Sequence, residues 1–144
     1  VTFSWALLPI VDAVAALVSL PGGFTLDGAG ALPQEYRPNT LYAAPGLQTA
    51  AVADTGGTDQ VDFRIRLAYS VSSAGEDGGL LRLRSVSDAE EAGLLLIAAA
   101  VVAHRQGSLW DWLKVEQAQP DAVAQIDCRV LFVDLSGYRL VPGS

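Results

Sequence analysis

The residues that could carry out chemistry are few. His104 is the one histidine of the chain and Cys128 the one cysteine. A Ser/His/Asp triad needs an imidazole beside an activated hydroxyl, and no G-x-S-x-G elbow accompanies His104. His104 sits next to Arg105 near the end of an apolar run, where a helix dipole favours a cation, so it reads as structural. Cys128 falls on the apolar side of an alternating segment. A buried free thiol behaves as a small hydrophobe and lacks the partner base a nucleophile requires. A zinc site takes about four Cys, His or acid ligands at close spacing, and one Cys and one His 24 residues apart do not supply it.

The acids and glycines give no stronger signal. Asp54-Thr55-Gly56-Gly57-Thr58-Asp59 has a faint calcium-loop texture, but the twelfth position, where an EF-hand places a bidentate acid, is Ile65. A turn is the better reading. The chain has no G-K-[ST] and no G-x-G-x-x-G, so neither glycine-rich turn is a phosphate cradle. Glu90 and Glu91 are adjacent carboxylates in the expected first turn of a helix, where acids complement the dipole. No catalytic site, metal or cofactor is expected.

What remains is a set of residues suited to contact. Arg64 and Arg66 share one strand face, and Arg82 and Arg84 share another by the same alternation. These four arginines within 21 residues are the only concentration of positive charge. An ordinary solvated sheet face would look this way. So would a patch that meets acids of a neighbouring subunit, since Arg forks suit interfacial carboxylates, or, less naturally, nucleic acid. Trp110 and Trp112 are either core or anchors, Trp being enriched among interface hot spots. Arg64, Arg66, Arg82, Arg84, Trp110 and Trp112 are therefore the candidate subunit-interface residues.

Composition frames this choice. At 144 residues the chain is one domain, 1–144. Hydrophobic residues make up 51% and charged residues 17%, with a mean hydropathy of +0.32. That excludes a disordered tail and suggests apolar surface buried against other subunits. Nine Lys and Arg oppose sixteen Asp and Glu, for a net charge of -7, so phosphate-driven nucleic-acid binding is disfavoured. A single cysteine excludes an internal disulfide. The apolar start lacks the basic region of a signal peptide and contains Pro9 and Asp12. The run Gly93–Ala103 falls short of the roughly 20 residues a membrane helix needs. No membrane association is expected. Val1 stands where Met would, which fits a processed terminus or a non-ATG start.

The elements follow from periodicity. Leu7, Ile10, Val11, Val14, Leu17 and Val18 recur at helical spacing up to the stop at Pro21-Gly22-Gly23. Residues 21–60 are rich in Pro and Gly, with short strands expected at Phe24–Leu26, Leu41–Ala44 and Gln48–Ala53. Val61, Phe63, Ile65, Leu67, Tyr69 and Val71 alternate with polar residues, which predicts a strand with one packed and one wet face. Leu81 and Leu83 alternate with Arg82 and Arg84 as a short strand or extended arm. Ser87-Asp88-Ala89-Glu90 reads as a capping box opening a helix from about Asp88 to Gln106. The centre of that helix is apolar all round, which implies burial on more than one side. Ser108–Gln119 has no clear period. Ala124–Phe132 alternates as a second long strand, with Ser136-Gly137 turning it back as a hairpin. The expected fold is α+β: an antiparallel or mixed sheet with the N-terminal helix and one long central helix packed on one face.

This layout resembles the tail terminator (tail completion) proteins of long-tailed bacteriophages, especially those of actinobacterial hosts. The likeness is carried by the helix ending in Leu20-Pro21-Gly22-Gly23, the strand Val61-Asp62-Phe63-Arg64-Ile65-Arg66-Leu67, the helix Ser87 to Arg105, and the closing Asp127-Cys128-Arg129-Val130 to Gly137-Tyr138-Arg139-Leu140. It is one of size, element order and texture over nearly the whole chain, with no diagnostic motif and no site to carry over. It implies a structural virion protein in the neck region of the tail, assembled in the host cytoplasm. The protein would form a ring with itself, usually of six copies, at the head-proximal end of the tail tube. Its partners would be the tail tube protein and a head connector or stopper protein, with DNA passing through the lumen unread. A head–tail connector or other neck protein is the nearest alternative. A small acidic α+β ligand-binding module is the alternative from a different class.

Overall fold

The computed structural model describes residues 7–28, 31–54, 58–72, 80–120 and 128–142. Its elements are α1 (Leu7–Ala16), β1 (Thr25–Asp27), β2 (Thr40–Asp54), β3 (Thr58–Ser72), α2 (Leu80–Ala103), β4 (Trp112–Pro120) and β5 (Cys128–Pro142). The strands form one five-stranded sheet in the order β1-β2-β3-β5-β4. β1 runs parallel to β2, and every other pair is antiparallel. This is the mixed-sheet α+β fold expected, with both helices on one face.

β3 organises the core. Phe63, Ile65, Leu67, Tyr69 and Val71 are all buried on the helix side, as their period-2 spacing requires. α1 contributes Ile10, Val11, Val14, Ala15 and Val18 to that layer, and α2 contributes Ile97 and Val101. Pro9 lies in the first turn of α1, where its missing N–H costs nothing. α1 ends at Ala16, ahead of the predicted stop. The chain leaves it through tightened bonds from Leu17 N–H to Val14 C=O (3.1 Å) and Val18 N–H to Ala15 C=O (3.3 Å).

The second face of the sheet is dry at one end. Ala68 and Ser70, on the side expected to be wet, are buried. Leu32 and Tyr36 fold beneath the sheet and pack with Tyr42, Ala68, Cys128 and Val130. Tyr42 accepts from the Arg37 N–H at 2.8 Å, and the Cys128 thiol donates to the Tyr36 carbonyl at 3.2 Å. Part of the Pro- and Gly-rich stretch thus covers the sheet. β5 is accordingly buried on both sides, with Cys128 and Val130 on one and Leu131, Val133 and Leu135 on the other.

Several expectations are corrected. The strands at Leu41–Ala44 and Gln48–Ala53 are one strand, β2, with a register shift between Pro45 and Ala50. Leu81–Arg84 is not a strand: α2 begins at Leu80, so Ser87 lies within the helix and opens no capping box. Helix propensity of Leu and Arg outweighs a two-step alternation too short to define a sheet. α2 also stops at Ala103 rather than Gln106. Ser136-Gly137 is no turn, because β5 pairs with β3 without interruption from Cys128 to Pro142. A Cβ at Gly137 would lie 2.3 Å from the Trp112 carbonyl and 2.6 Å from the Phe63 ring. The glycine there admits close backbone approach rather than a reversal. The unassigned stretch holds β4, and the expected start of the last strand, 124–127, lies outside the described residues.

Candidate functional site

Of the six interface candidates, two share one face of the sheet. Arg64 and Arg66 stand on the face of β3 away from the helices, where Phe132 joins Arg66 to the Tyr36 cover. β5 brings Asp134 opposite Arg66 in register. Arg66 donates to Asp134 through Nε at 2.7 Å and Nη2 at 3.1 Å, a two-pronged fork that fixes both planes. Gln117 Nε2 donates to the same carboxylate at 2.9 Å. The Arg66 guanidinium also lies 5.0 Å above the Phe132 ring centroid.

β4 supplies the far wall through an irregularity. Val115 pairs with Leu135 and Gln117 with Asp134, so Glu116 is an extra residue in the strand. Such a bulge re-aims side chains, here setting Glu116 and Gln117 together on the groove side. Glu116 accepts from Ser136 Oγ and pairs with Lys114 Nζ at 3.2 Å. Gly46, Arg64, Arg66, Glu116, Gln117 and Asp134 line a groove of about 360 Å³, together with backbone of β3 and β5. A Cβ at Gly46 would lie 2.8 Å from Arg64 Cβ, so the wall at β2 admits no larger residue without movement.

The electrostatics of this groove are settled from within. The hydrogen bonds from Arg66, and to a lesser degree Gln117, hold the Asp134 carboxyl below its usual range against the opposing effect of burial. Ser136 and Lys114 do the same for Glu116, and Arg64 adds its positive field at both acids. A general acid or base works best with its pKa near the working pH, and both carboxylates are shifted in the other direction. The groove presents fixed charges and a rigid hydrogen-bonding surface.

The other four candidates lie elsewhere. Arg82 and Arg84 lie in α2, on a helix rather than the expected strand. Trp110 is buried in this chain's own core, and its Nε1–H donates to the His104 carbonyl at 2.9 Å, satisfying a group at the end of α2. Trp112 is partly exposed, with the Arg105 guanidinium 4.9 Å above its ring.

Sequence reasoning missed Asp134, Glu116 and Gln117. Asp134 was legible as the charged residue on the same parity as Cys128, Val130 and Phe132, but the bulge that brings Glu116 and Gln117 together breaks any period. Glu90, expected in the first turn of a helix, lies instead well inside α2, which begins at Leu80. This residue is buried within α2 against Arg129 of β5 at 3.3 Å, and its Oε2 has no partner among the described residues. Burial pushes its carboxyl above the ordinary range, with Arg129 opposing. A second surface lies on the outer side of α2, where Ala92, Leu95, Ala99 and Val102 are exposed. Among the described residues no group of three or more His, Cys, Asp and Glu is placed to hold a metal ion, and no helix is long and apolar enough to cross a membrane.

No family model matches the chain, and no curated protein matches it in sequence. Among solved structures it is similar to a chain of the "Virion of native gene transfer agent (GTA) particle". The two are 20% identical, with 95% of this chain and 92% of that chain covered and a TM-score of 0.42.

Proposed function

We propose that the chain is a structural virion protein, a tail terminator that forms a ring at the head-proximal end of a phage tail tube. The ring ends tube polymerisation and joins the tail to the head connector, and DNA passes through it without specific contact. Its site of action is the virion neck, after assembly in the host cytoplasm.

The observation that carries this reading is the groove between β3, β5 and β4. Arg66, Asp134 and Glu116 are paired within it, its carboxylates are held ionised, and it lies open on a sheet face that the described residues leave uncovered. Ordered Arg–carboxylate surfaces of this kind fit the docking of a neighbouring protein surface better than turnover. The groove also weighs against the ligand-module alternative, because small-molecule pockets are lined mainly by apolar and aromatic groups. The head–tail connector alternative shares the same surface logic and differs in partner.

Solution mass separates these. Light scattering of the chain alone and with candidate tail tube protein tests the reading. A closed ring of five or more copies in the presence of tube protein supports it. A mass unchanged by tube protein, with ring formation on connector protein instead, favours the connector. Asp134→Asn, which disrupts the fork, is expected to weaken ring formation about tenfold or more if the groove is the subunit contact.

A further inference from the structure

The outer side of α2 carries apolar residues that its own chain leaves in solvent. Leu95 is 62% exposed and Val102 is 60% exposed, the two largest exposures among the large hydrophobic residues described. Ala92 and Ala99 are exposed on the same side. Positions 92, 95, 99 and 102 are spaced alternately three and four apart, the spacing of a helix-pairing seam, and they run about 15 Å along the axis. The sheet-facing stripe is separate: Gly93, Ile97 and Val101 are buried on the opposite side. The all-apolar centre of this helix therefore resolves into one stripe that has a partner and one that has none among the described residues.

Charge indicates what covers the second stripe. Exposed Asp88 and Glu91 lie at its N-terminal end, and His104 and Arg105 lie just beyond its C-terminal end. Arg105 is held there by its stacking on Trp112. Two copies of α2 laid antiparallel bring the acids of each beside the basic end of the other. A parallel pair brings acids to acids. Antiparallel alignment also sets Leu95 of each copy against Val102 of the other, with Ala99 near the two-fold axis, where its small side chain permits close approach. The seam is self-complementary, as a two-fold contact requires.

We infer that the outer face of α2 pairs antiparallel with α2 of a second copy of this chain. The pairing belongs to the free protein and does not depend on the assembly reading. One helix pair is a small interface, at the low end of those that form in solution. The dimer therefore dissociates on dilution and weakens with salt.

The test is the light-scattering mass of the full chain over a concentration series, with four variants. Leu95→Glu and Val102→Glu each weaken the dimer about a hundredfold or more, with circular dichroism unchanged. Ala99→Cys forms a covalent dimer on mild oxidation, whereas Leu95→Cys does not, and buried Cys128 stays unreacted. A chain that remains monomeric at every concentration overturns the inference. So does a dimer or larger species indifferent to Leu95→Glu, or Leu95→Cys cross-linking as readily as Ala99→Cys, the mark of a parallel pair. Tube protein is absent from these measurements, so failure here leaves the ring reading to its own test.

Discussion

Two carboxylates show how position sets the sign of a pH effect. Asp134 is held below its usual range by Arg66, so the native state releases its proton more readily than the unfolded chain. Its stabilising effect is complete above the ordinary aspartate range and is lost as pH falls through the lowered value. Asp134→Asn is expected to cost about 1–2 kcal/mol at neutral pH, and denaturation at acidic pH should show a flatter dependence. Glu90 behaves oppositely. Burial raises its folded value, so stability is greatest below the ordinary glutamate range and declines as pH rises through the window up to the raised value. Glu90→Gln is expected to raise the thermal midpoint at pH 8 more than at pH 4, and an equal shift at both would contradict the assignment. Gly93 carries a third prediction. A Cβ there would lie 2.3 Å from the ring of Tyr69, which is buried and stacked on Phe24 at 5.0 Å. Alanine gains about 1 kcal/mol of helix propensity, but overpacking costs about 1–3 kcal/mol. Gly93→Ala is therefore expected to destabilise in urea, against the propensity rule.

At the scale of elements, legibility followed the number of faces that each segment buries. β3 was readable because its helix side is continuously apolar, and α1 because a single stripe of it is. β5 misled because it packs on both sides, so its inward residues occur at both parities and Gly137 looked like punctuation. The start of α2 misled because Leu81-Arg82-Leu83-Arg84 fits period 2 as well as one turn of a helix. The groove was half legible: Arg64 and Arg66 show their shared face in sequence, whereas Asp134 needs the register of β5 and Glu116 needs the bulge in β4. Amide hydrogen exchange checks the largest of these corrections. Gly137 lies in the unbroken β3–β5 ladder opposite Phe63, so the 136–138 amides are expected to exchange as slowly as their strand neighbours. Rapid exchange confined to those amides would restore the hairpin.

The whole molecule is a sheet used unequally on its two faces. One face carries both helices and the main core. The other is closed at one end by Tyr36 and left open by the described residues at the other, where the Arg66–Asp134 fork sits. α2 adds a second exposed surface, apolar rather than charged. An exposed apolar stripe of this kind marks an interaction surface. The open groove and the outer face of α2 are of different chemistry and on different sides of the sheet, so they suit different contacts, one within an assembly and one between free copies. The α2 contact draws on exposed end charges and weakens as screening rises.

On the proposed reading this chain is an assembly part whose groove faces its neighbours in a ring. The most direct measurement is the mass of the species formed with tail tube protein, for the natural chain and for Asp134→Asn. A closed ring of five or more copies that forms with tube protein and is lost or weakened in the variant is the expected result. A monomer or dimer that ignores tube protein would contradict the account.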